Sequence, residues 1–222
     1  MQRSTRDNYK YKGLRLRMIK DLMSKGITDV KVLQVMLDLP RHFFIEIGFE
    51  EWAYRDQAFP IPSDQTISRP YTVALQTSLL NLTGDETVLE IGTGSGYQCA
   101  VLARLCNRVY TIERHDILFK LSNTIFQELS LYNIRNYHGD GYKGLARKAP
   151  FDRIIVTAGA SEIPQTLIDQ LAPGGSMVIP VGDTNSQEMQ VIDKDLDGRL
   201  TQRTAGKCEF VPFLQGKVGE VI

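Results

Sequence analysis

Three glycines at alternate positions follow a short apolar run and could bring backbone N–H groups close to a ligand. Gly92, Gly94 and Gly96 come directly after Val88–Ile91, which has the apolar pattern of a buried parallel strand. Glycine permits both a sharp turn and a close approach, because it carries no Cβ. The next segment, Tyr97–Leu105, is predicted to be a helix that begins at the same point. Strand, turn and helix together predict a nucleotide-type binding site at the carboxyl end of a sheet strand.

The spacing of the glycines bears on the kind of nucleotide. NAD sites usually carry G-x-G-x-x-G, whereas Tyr97 occupies the position of the third glycine, where close helix-to-strand packing favours a small residue. Thr93 and Ser95 lie between the glycines. Glu90, at the end of the strand, would repel a pyrophosphate in a desolvated site and suits a cationic or amine-bearing ligand better. The pattern therefore disfavours a dinucleotide, although a turn that binds no ligand remains an alternative.

Acidic residues also follow the next two predicted strands. Glu113 lies 21 residues after Gly92, where a carboxylate can accept hydrogen bonds from ribose hydroxyls. Asp140 lies between Gly139 and Gly141 and could accept a hydrogen bond from an exocyclic amine such as that of adenine. Its alternative role is that of a turn residue. Together with the glycine loop, the two carboxylates predict a ligand made of adenosine with a short cationic tail, which is the shape of S-adenosylmethionine.

The elements that must position these residues alternate regularly after Gly84. This alternation predicts a doubly wound, mostly parallel α/β sheet of Rossmann-like form, followed by an antiparallel hairpin at the C-terminus. The predicted strands are Val88–Ile91, Arg108–Ile112, Asn136–His138, Arg153–Thr157 and Ser176–Val181, and the hairpin strands are Gln187–Lys194 and Leu200–Thr204. The predicted helices between strands are Tyr97–Leu105, Ile117–Leu131 and Pro164–Leu171.

The N-terminal third has a different pattern. Two amphipathic segments, Leu14–Lys25 and Val30–Leu37, predict a small helical cap, with Thr28 as the N-cap of the second helix. Residues 41–71 are rich in aromatic residues, glycine and proline and predict an ordered loop of the length that is usually functional. A further helix is predicted over Tyr71–Leu82. We expect a loosely attached tail over residues 1–12 and one domain over 13–222, with the cap and substrate loop in 13–83 and the ligand-binding core in 84–222.

Composition excludes several classes of function. The 222 residues carry a formal net charge of zero, so no broad nucleic-acid footprint is expected. No stretch approaches the roughly 20 apolar residues of a membrane span. Three cysteines without a C-x-x-C spacing and three scattered histidines favour neither disulfides nor a metal site. We expect a cytoplasmic monomer. The excess of basic residues near the N-terminus is interpreted as a solvated tail and helix face; these residues are Arg3, Arg6, Lys10, Lys12, Arg15, Arg17 and Lys20.

Several motifs resemble a known family. Glu90–Tyr97, Glu113 and Gly139–Gly141 are similar to class I methyltransferases, a superfamily that uses S-adenosylmethionine. The chain resembles more closely the protein-L-isoaspartate O-methyltransferases, over nearly all of its length after residue 12. The closer resemblance is carried by Pro40–Phe44, Ala58–Pro62, Gln65–Ser68 before Pro70–Tyr71, Phe151–Ala158, Leu171–Gly175 and Phe210–Pro212. The chain departs from the family pattern at Asp64, where the family has glycine, and this departure bears on substrate affinity.

The resemblance implies an activity and assigns roles to residues. It implies transfer of the methyl group of S-adenosylmethionine to the free carboxylate of L-isoaspartyl residues in damaged proteins and peptides. It also implies that Thr66 and Ile67 join the glycine loop in binding the cofactor, and that Ile61, Ser68 and Val211 bind the substrate. Ser68 is the implied catalytic residue, which orients the carboxylate. A partial helix cap is its alternative role.

Two other functions stay open at this point. A class I methyltransferase that acts on another small-molecule or protein carboxylate would share the glycine loop, and so would a non-catalytic adenosine-binding module.

No general base is required for methylation of a carboxylate, because a group with a pKa of about 3.9 is already ionised at neutral pH.

Overall fold

The structure is a computed structural model that describes residues 3–183 and 186–219. Its α-helices in these residues are α1 (Tyr9–Ser24), α2 (Val30–Asp38), α3 (Pro70–Leu79), α4 (Tyr97–Ala103), α5 (Asp116–Glu128) and α6 (Gln165–Gln170). Its strands are β1 (Phe59–Ile61), β2 (Gln65–Ile67), β3 (Thr87–Ile91), β4 (Arg108–Glu113), β5 (Ile134–His138), β6 (Phe151–Val156), β7 (Leu171–Gly182), β8 (Gln187–Lys194) and β9 (Leu200–Cys208).

The last seven of these strands form one sheet in the order β5-β4-β3-β6-β7-β8-β9. Pairs from β5 to β7 are parallel, whereas β8 and β9 add as an antiparallel hairpin. Because β3 lies between β4 and β6, the strand order reverses beside β3, and ligands of open α/β sheets bind at such a point. The predicted mostly parallel sheet with a C-terminal hairpin is confirmed.

Both faces of the central strands β3, β4 and β6 are covered, which explains why these strands lack a polar face, whereas the edge strand β9 is mostly exposed. Alternate residues of β3 point to opposite faces. Val88 packs in a cluster with Cys99 and Leu102 of α4, while Leu89 packs in a cluster with Leu167 of α6. The helices α1 to α3 share a core with α4 and α5 on the first of these faces. The predicted helical cap therefore packs against α4 and α5, in a cluster separate from the two that contain the seven-stranded sheet.

Residues 3–12 correct the prediction of a loose tail. Asn8 caps α1 through its Oδ1, which accepts from the Tyr11 N–H at 3.2 Å. Arg15 is buried, not solvated, and donates to both carboxylate oxygens of Asp7 at 2.9 and 2.8 Å. Arg3 donates to the Phe43 carbonyl oxygen at 3.1 Å. The excess of basic residues indicated solvation, but the buried Arg15 binds Asp7 and so attaches the N-terminal segment to α1. Residues 1 and 2 lie outside the described residues.

Three local boundaries also differ from the prediction. Asp29 caps α2 instead of Thr28, and its Oδ1 accepts from two N–H groups at 3.0 and 3.1 Å. The helix α3 ends at Leu79, before Asn81 with its φ of 50°. The expected irregular loop contains the hairpin β1–β2, which is closed by two consecutive left-handed residues, Ser63 and Asp64. Pro60 within β1 and Pro62 directly after it concealed this strand, because proline removes a ladder donor.

Candidate active site

A cavity opens at the carboxyl ends of the parallel strands. Its volume is about 790 Å³ including the open mouth, within the range of small-molecule and cofactor sites. Segments that follow β3, β4, β5 and β6 line one side, and the segment after β2 lines the other. The structure brings these predicted site residues into its walls: Thr66, Ile67, Ser68, Gly92, Thr93, Gly94, Ser95, Glu113, Gly141 and Val211.

The glycine loop has the backbone conformation that the sequence predicted. Gly92, Gly94 and Gly96 have φ values of 97°, 54° and 86°, in the region that L side chains rarely adopt. At Gly92 an added Cβ would lie 2.5 Å from Thr157 Oγ1, so the loop is held tightly against the end of β6. At Gly96 it would lie 2.8 Å from the ring of Phe126. Gly96 thus serves packing beneath the cavity, whereas Gly92 and Gly94 line it.

Glu113 is attached to the glycine loop. Its Oε2 accepts from the Gly94 N–H at 2.7 Å, and its Oε1 accepts from the His115 N–H at 2.9 Å. A carboxylate has about four acceptor positions, so two remain for other donors. The side chain lines the cavity although only 4% of the residue is exposed. These features suit the expected role of Glu113, whose carboxylate would accept hydrogen bonds from the ribose hydroxyls of the ligand.

Glu90 lies behind the cavity wall. It is fully buried and faces α4, because β3 alternates its side chains between the two faces. Thr111 Oγ1 contacts Glu90 Oε2 at 2.5 Å and Thr93 Oγ1 at 2.7 Å, so a chain of side chains connects Glu90 to the loop. Burial raises the pKa of Glu90 to about 8. Glu90 is not among the residues that line the cavity, so its predicted contact with a cationic ligand stays a prediction.

Asp140 and Gly139 lie beside the cavity and are not among the residues that line it. The Asp140 Oδ1 accepts from the Tyr142 N–H at 3.0 Å and caps the short 3-10 turn Gly141–Lys143. The turn role that was an alternative for Asp140 is therefore present. The Gly139 N–H donates to the Glu113 carbonyl oxygen at 2.9 Å. Contact of Asp140 with an exocyclic amine stays a prediction.

The hairpin β1–β2 brings the acceptor loop, defined as Gln65–Ser68, over the glycine loop. Ile67 is buried, Thr66 is exposed and Ser68 is half-buried, and all three line the cavity. Ile61, which pairs with Gln65, is buried beside the glycine loop; an added Cβ on Gly94 would lie 3.7 Å from its Cδ1. The predicted substrate residue Ile61 therefore supports the hairpin from beneath.

Ser68 is not a helix cap. Arg69 is the N-cap residue of α3, and the Tyr71 N–H donates to Asp56 Oδ1 at 2.8 Å. Within the described residues the Ser68 hydroxyl makes no hydrogen bond. A second cavity lies next to the first and shares Thr66, Ser68, Thr157 and Val211 with it. The Ser68 hydroxyl is thus available where the two cavities meet.

Sequence reasoning missed several residues of the cavity wall. Ala158 and Thr157 follow β6, and Phe213, whose ring stacks on Tyr142 at 4.1 Å, closes the side near Gly141. Ala158 and Thr157 lie within a segment that carried the family resemblance, but their apolar and hydroxyl side chains suggested no chemistry. Phe213 had no sequence signal, because its position depends on the return of the chain after β9.

Fold and site together define a class. A glycine loop after the central parallel strand, a carboxylate after the next strand and a glycine turn after the third are the arrangement of class I S-adenosylmethionine-dependent methyltransferases. A family model described as protein-L-isoaspartate(D-aspartate) O-methyltransferase matches residues 15–218. The chain belongs to this family, whose methyl donor is S-adenosylmethionine.

Individual relatives agree with this membership. The chain is 52% identical to a protein-L-isoaspartate O-methyltransferase from Cytophaga hutchinsonii over 213 residues, covering 96% of each chain. It is 49% identical to one from Flavobacterium johnsoniae, covering 96% of this chain and 99% of the relative. A solved structure described as a protein-L-isoaspartate O-methyltransferase from Plasmodium falciparum with S-adenosyl-L-homocysteine matches with a TM-score of 0.79 and 26% identity. It covers 94% of this chain and 99% of that one.

No helix in residues 3–183 and 186–219 has the length and apolar character needed to cross a bilayer.

Proposed function

We propose that this protein methylates the free carboxylate of L-isoaspartyl residues in damaged proteins and peptides, and that Ser68 orients that carboxylate. The observation that carries the proposal is the Ser68 hydroxyl, which makes no hydrogen bond in the described residues and lies where the two cavities meet. Family membership supports the substrate class. A hydroxyl donor without a protein partner suits an anionic acceptor, because hydrogen bonds to charged groups are the stronger ones.

The residues of the first cavity fit S-adenosylmethionine. Glu113 retains acceptor positions for ribose hydroxyls, and Gly92 and Gly94 leave the backbone of the loop open to a ligand. Apolar side chains of Ile67 and Ile112 line the same space and suit the face of a purine. When bound, the cofactor supplies an electrophilic methyl group on a sulfonium. The protein holds it on the side formed by the ends of β3 and β4.

The work of the protein at the acceptor side is orientation. The substrate carboxylate is ionised at neutral pH, so the side chains do not need to remove a proton. Ser68 would donate its hydroxyl hydrogen to one carboxylate oxygen and leave the other free to react. Holding reactants in line can contribute roughly 7 to 11 kcal/mol in favourable cases, which is enough to make positioning the main contribution.

The second cavity supports binding of an extended peptide. Val211 lines both cavities, and its carbonyl oxygen accepts from the Gly159 N–H at 2.8 Å, which fixes this segment beside Ser68. A peptide in the second cavity would present its isoaspartyl side chain through the shared wall. Contacts of this kind are made to the peptide backbone and suit a repair enzyme that acts on many proteins.

The test is methyl transfer from labelled S-adenosylmethionine to two peptides that differ only in isoaspartate or aspartate. We expect transfer to the isoaspartyl peptide alone. Transfer to both peptides would require a broader acceptor class, and transfer to neither would overturn the proposal. The Ser68→Ala variant should lower kcat about 10- to 100-fold, the value of one hydrogen bond to a charged group, and should leave the Kd for S-adenosylhomocysteine unchanged.

A matched variant controls for loss of a serine elsewhere. Ser24, an exposed residue at the end of α1, lies outside both cavities. We expect Ser24→Ala to retain full kcat. Equal losses of cofactor affinity and kcat in Ser68→Ala would show that Ser68 supports the fold of the site instead of the acceptor. We also propose that the protein works in the reducing cytoplasm, which the three free cysteines support, and that it works as a monomer.

A further inference from the structure

A fully buried arginine connects the two halves of the site. Arg41 lies in the 3-10 turn Arg41–Phe44, and 0% of the residue is exposed. Its Nη2 donates to the Ser68 carbonyl oxygen at 2.7 Å, and its Nε donates to the Ala53 carbonyl oxygen at 2.8 Å. Its guanidinium also lies over the ring of Tyr97, 4.6 Å from the centroid. One side chain thus contacts the acceptor loop and the first residue of α4, directly after the glycine loop.

Packing alone does not explain an arginine at this position. Arg41 forms no ion pair with the described residues. Its burial lowers the pKa to about 10, which still leaves the group charged at neutral pH. An unpaired buried charge is costly, and apolar residues of similar volume often stabilise such a place better. The guanidinium has, however, a rigid planar fork that fixes several acceptors at once.

Ser68 needs such an anchor because regular structure does not hold it. The pairing of β1 with β2 ends at Ile67, and α3 begins at Pro70. The backbone of Ser68 therefore lies between a strand and a helix, and its hydroxyl makes no hydrogen bond in the described part of the chain. The bond from Arg41 is the hydrogen bond that fixes its carbonyl group. Tyr97, on the other side of the guanidinium, is buried and lines the first cavity.

We propose that Arg41 is a positioning residue that fixes the backbone of Ser68 relative to Tyr97 and so aligns the acceptor hydroxyl with the cofactor-binding glycine loop. The inference rests on the proposed role of Ser68. It extends that role to a residue 27 positions away in the sequence. Arg41 acts through Ser68 and does not line either cavity.

The chain offers a matched control in Arg15. This second buried arginine donates to the Leu37 carbonyl oxygen at 2.7 Å, to both carboxylate oxygens of Asp7 and to the Tyr54 hydroxyl at 3.1 Å. It contacts neither the acceptor loop nor α4. Substitution of either arginine removes a buried guanidinium and its hydrogen bonds, but only Arg41 is linked to Ser68. Substitution of either arginine should lower the free energy of unfolding, whereas only substitution of Arg41 should lower kcat.

The experiment compares Arg41→Met and Arg41→Lys with Arg15→Met and Arg15→Lys, each in the Ser68 and the Ser68→Ala background. Thermal unfolding, the Kd for S-adenosylhomocysteine by calorimetry, and kcat and KM for an isoaspartyl peptide are measured. We expect Arg41→Met to lower kcat about 10- to 100-fold, since a displacement of about 1 Å in a reacting group has effects of this size. Arg41→Lys should retain part of kcat, because a lysine ammonium keeps the charge but lacks the planar fork that fixes both acceptors.

The decisive result is the coupling between the two sites. If Arg41 acts through Ser68, its substitution should change kcat much less in the Ser68→Ala background. The same fold-loss in both backgrounds, or an equal loss in the Arg15 variants, would overturn the inference. If Arg41→Met does not fold, the folded Arg41→Lys variant decides by the same comparison. Failure of the proposed function is a separate result, because it would show in the wild-type protein as no transfer to the isoaspartyl peptide.

Discussion

Replacement of Gly92 by alanine separates two reasons for a glycine in the cofactor loop. The first is backbone conformation: an L residue at a φ of 97° costs about 1–2 kcal/mol of strain. This cost is partly offset, because alanine lowers the conformational entropy of the unfolded chain. The second is space: the new Cβ would lie 2.5 Å from Thr157 Oγ1. This hydroxyl lies 2.9 and 2.7 Å from the carbonyl oxygens of Ile91 and Gly92, so moving it breaks these contacts. Overpacking of this kind adds about 1–3 kcal/mol.

A matched glycine isolates the first effect. Gly26, after the end of α1, has a φ of 91°, and an added Cβ there would have no heavy atom within 4 Å. We therefore expect the free energy of unfolding, measured in urea, to fall by about 1 kcal/mol in Gly26→Ala and by about 2–4 kcal/mol in Gly92→Ala. The Kd for S-adenosylhomocysteine should rise only in Gly92→Ala, because Gly26 is outside the site.

A second-site change tests the clash directly. Thr157→Ala removes the hydroxyl, and the remaining Cβ would lie 3.8 Å from the new Cβ at position 92, an ordinary contact. In the Thr157→Ala background, Gly92→Ala should therefore cost only about 1 kcal/mol, the same as Gly26→Ala. Equal losses for Gly26→Ala and Gly92→Ala in the otherwise unchanged protein would refute the reasoning, since they would leave no contribution from the clash.

Two further predictions concern acidic residues. Because its folded-state pKa is raised from 4.5 to about 8, Glu90 stabilises the fold at low pH, and this contribution is lost as pH rises through that window. The free energy of unfolding of the wild type minus that of Glu90→Gln, measured in urea, should fall by up to about 1.4 kcal/mol per pH unit between pH 4.5 and about 8. If this difference did not change with pH, the argument from burial would be contradicted. Asp64 is exposed and lines neither cavity, so Asp64→Gly should leave KM for an isoaspartyl peptide unchanged. A lower KM in this variant would show that the Asp64 carboxylate weakens substrate binding.

The parts of the site that the sequence could predict depend on local chain geometry. The glycine loop is determined by three glycines at alternate positions directly after β3, and their positive φ values are possible because glycine has no Cβ. Glu113 could be placed because the ends of neighbouring parallel strands meet at one edge. The hairpin of β8 and β9 was recognisable from Asp195–Gly198 between two strand patterns. In each case the prediction needed only a short sequence motif and its place in the order of strands and helices.

The parts that were missed depend on partners far away in the sequence. Whether Arg15 is solvated depends on Asp7 and on the Leu37 carbonyl group, and no periodicity in α1 indicates either. The neutral, buried state of Glu90 depends on α4 covering its face of β3. The pattern of charges indicated solvation in one case and ligand binding in the other. Composition gives the sign of a charge but not its surroundings, which determine its role.

The same distinction explains why the two halves of the site differ in construction. The cofactor half lies at the ends of sheet strands, and its loop is fixed by hydrogen bonds from Gly92 and Thr93 to the Ile112 carbonyl oxygen. The acceptor half lies on a hairpin of two three-residue strands, which is too short to be rigid alone. Its alignment must therefore come from outside the hairpin, and Arg41 is the contact that reaches from the hairpin's end to α4. Under the role proposed for Arg41, this residue serves the reaction by fixing the backbone of Ser68, although it lines neither cavity.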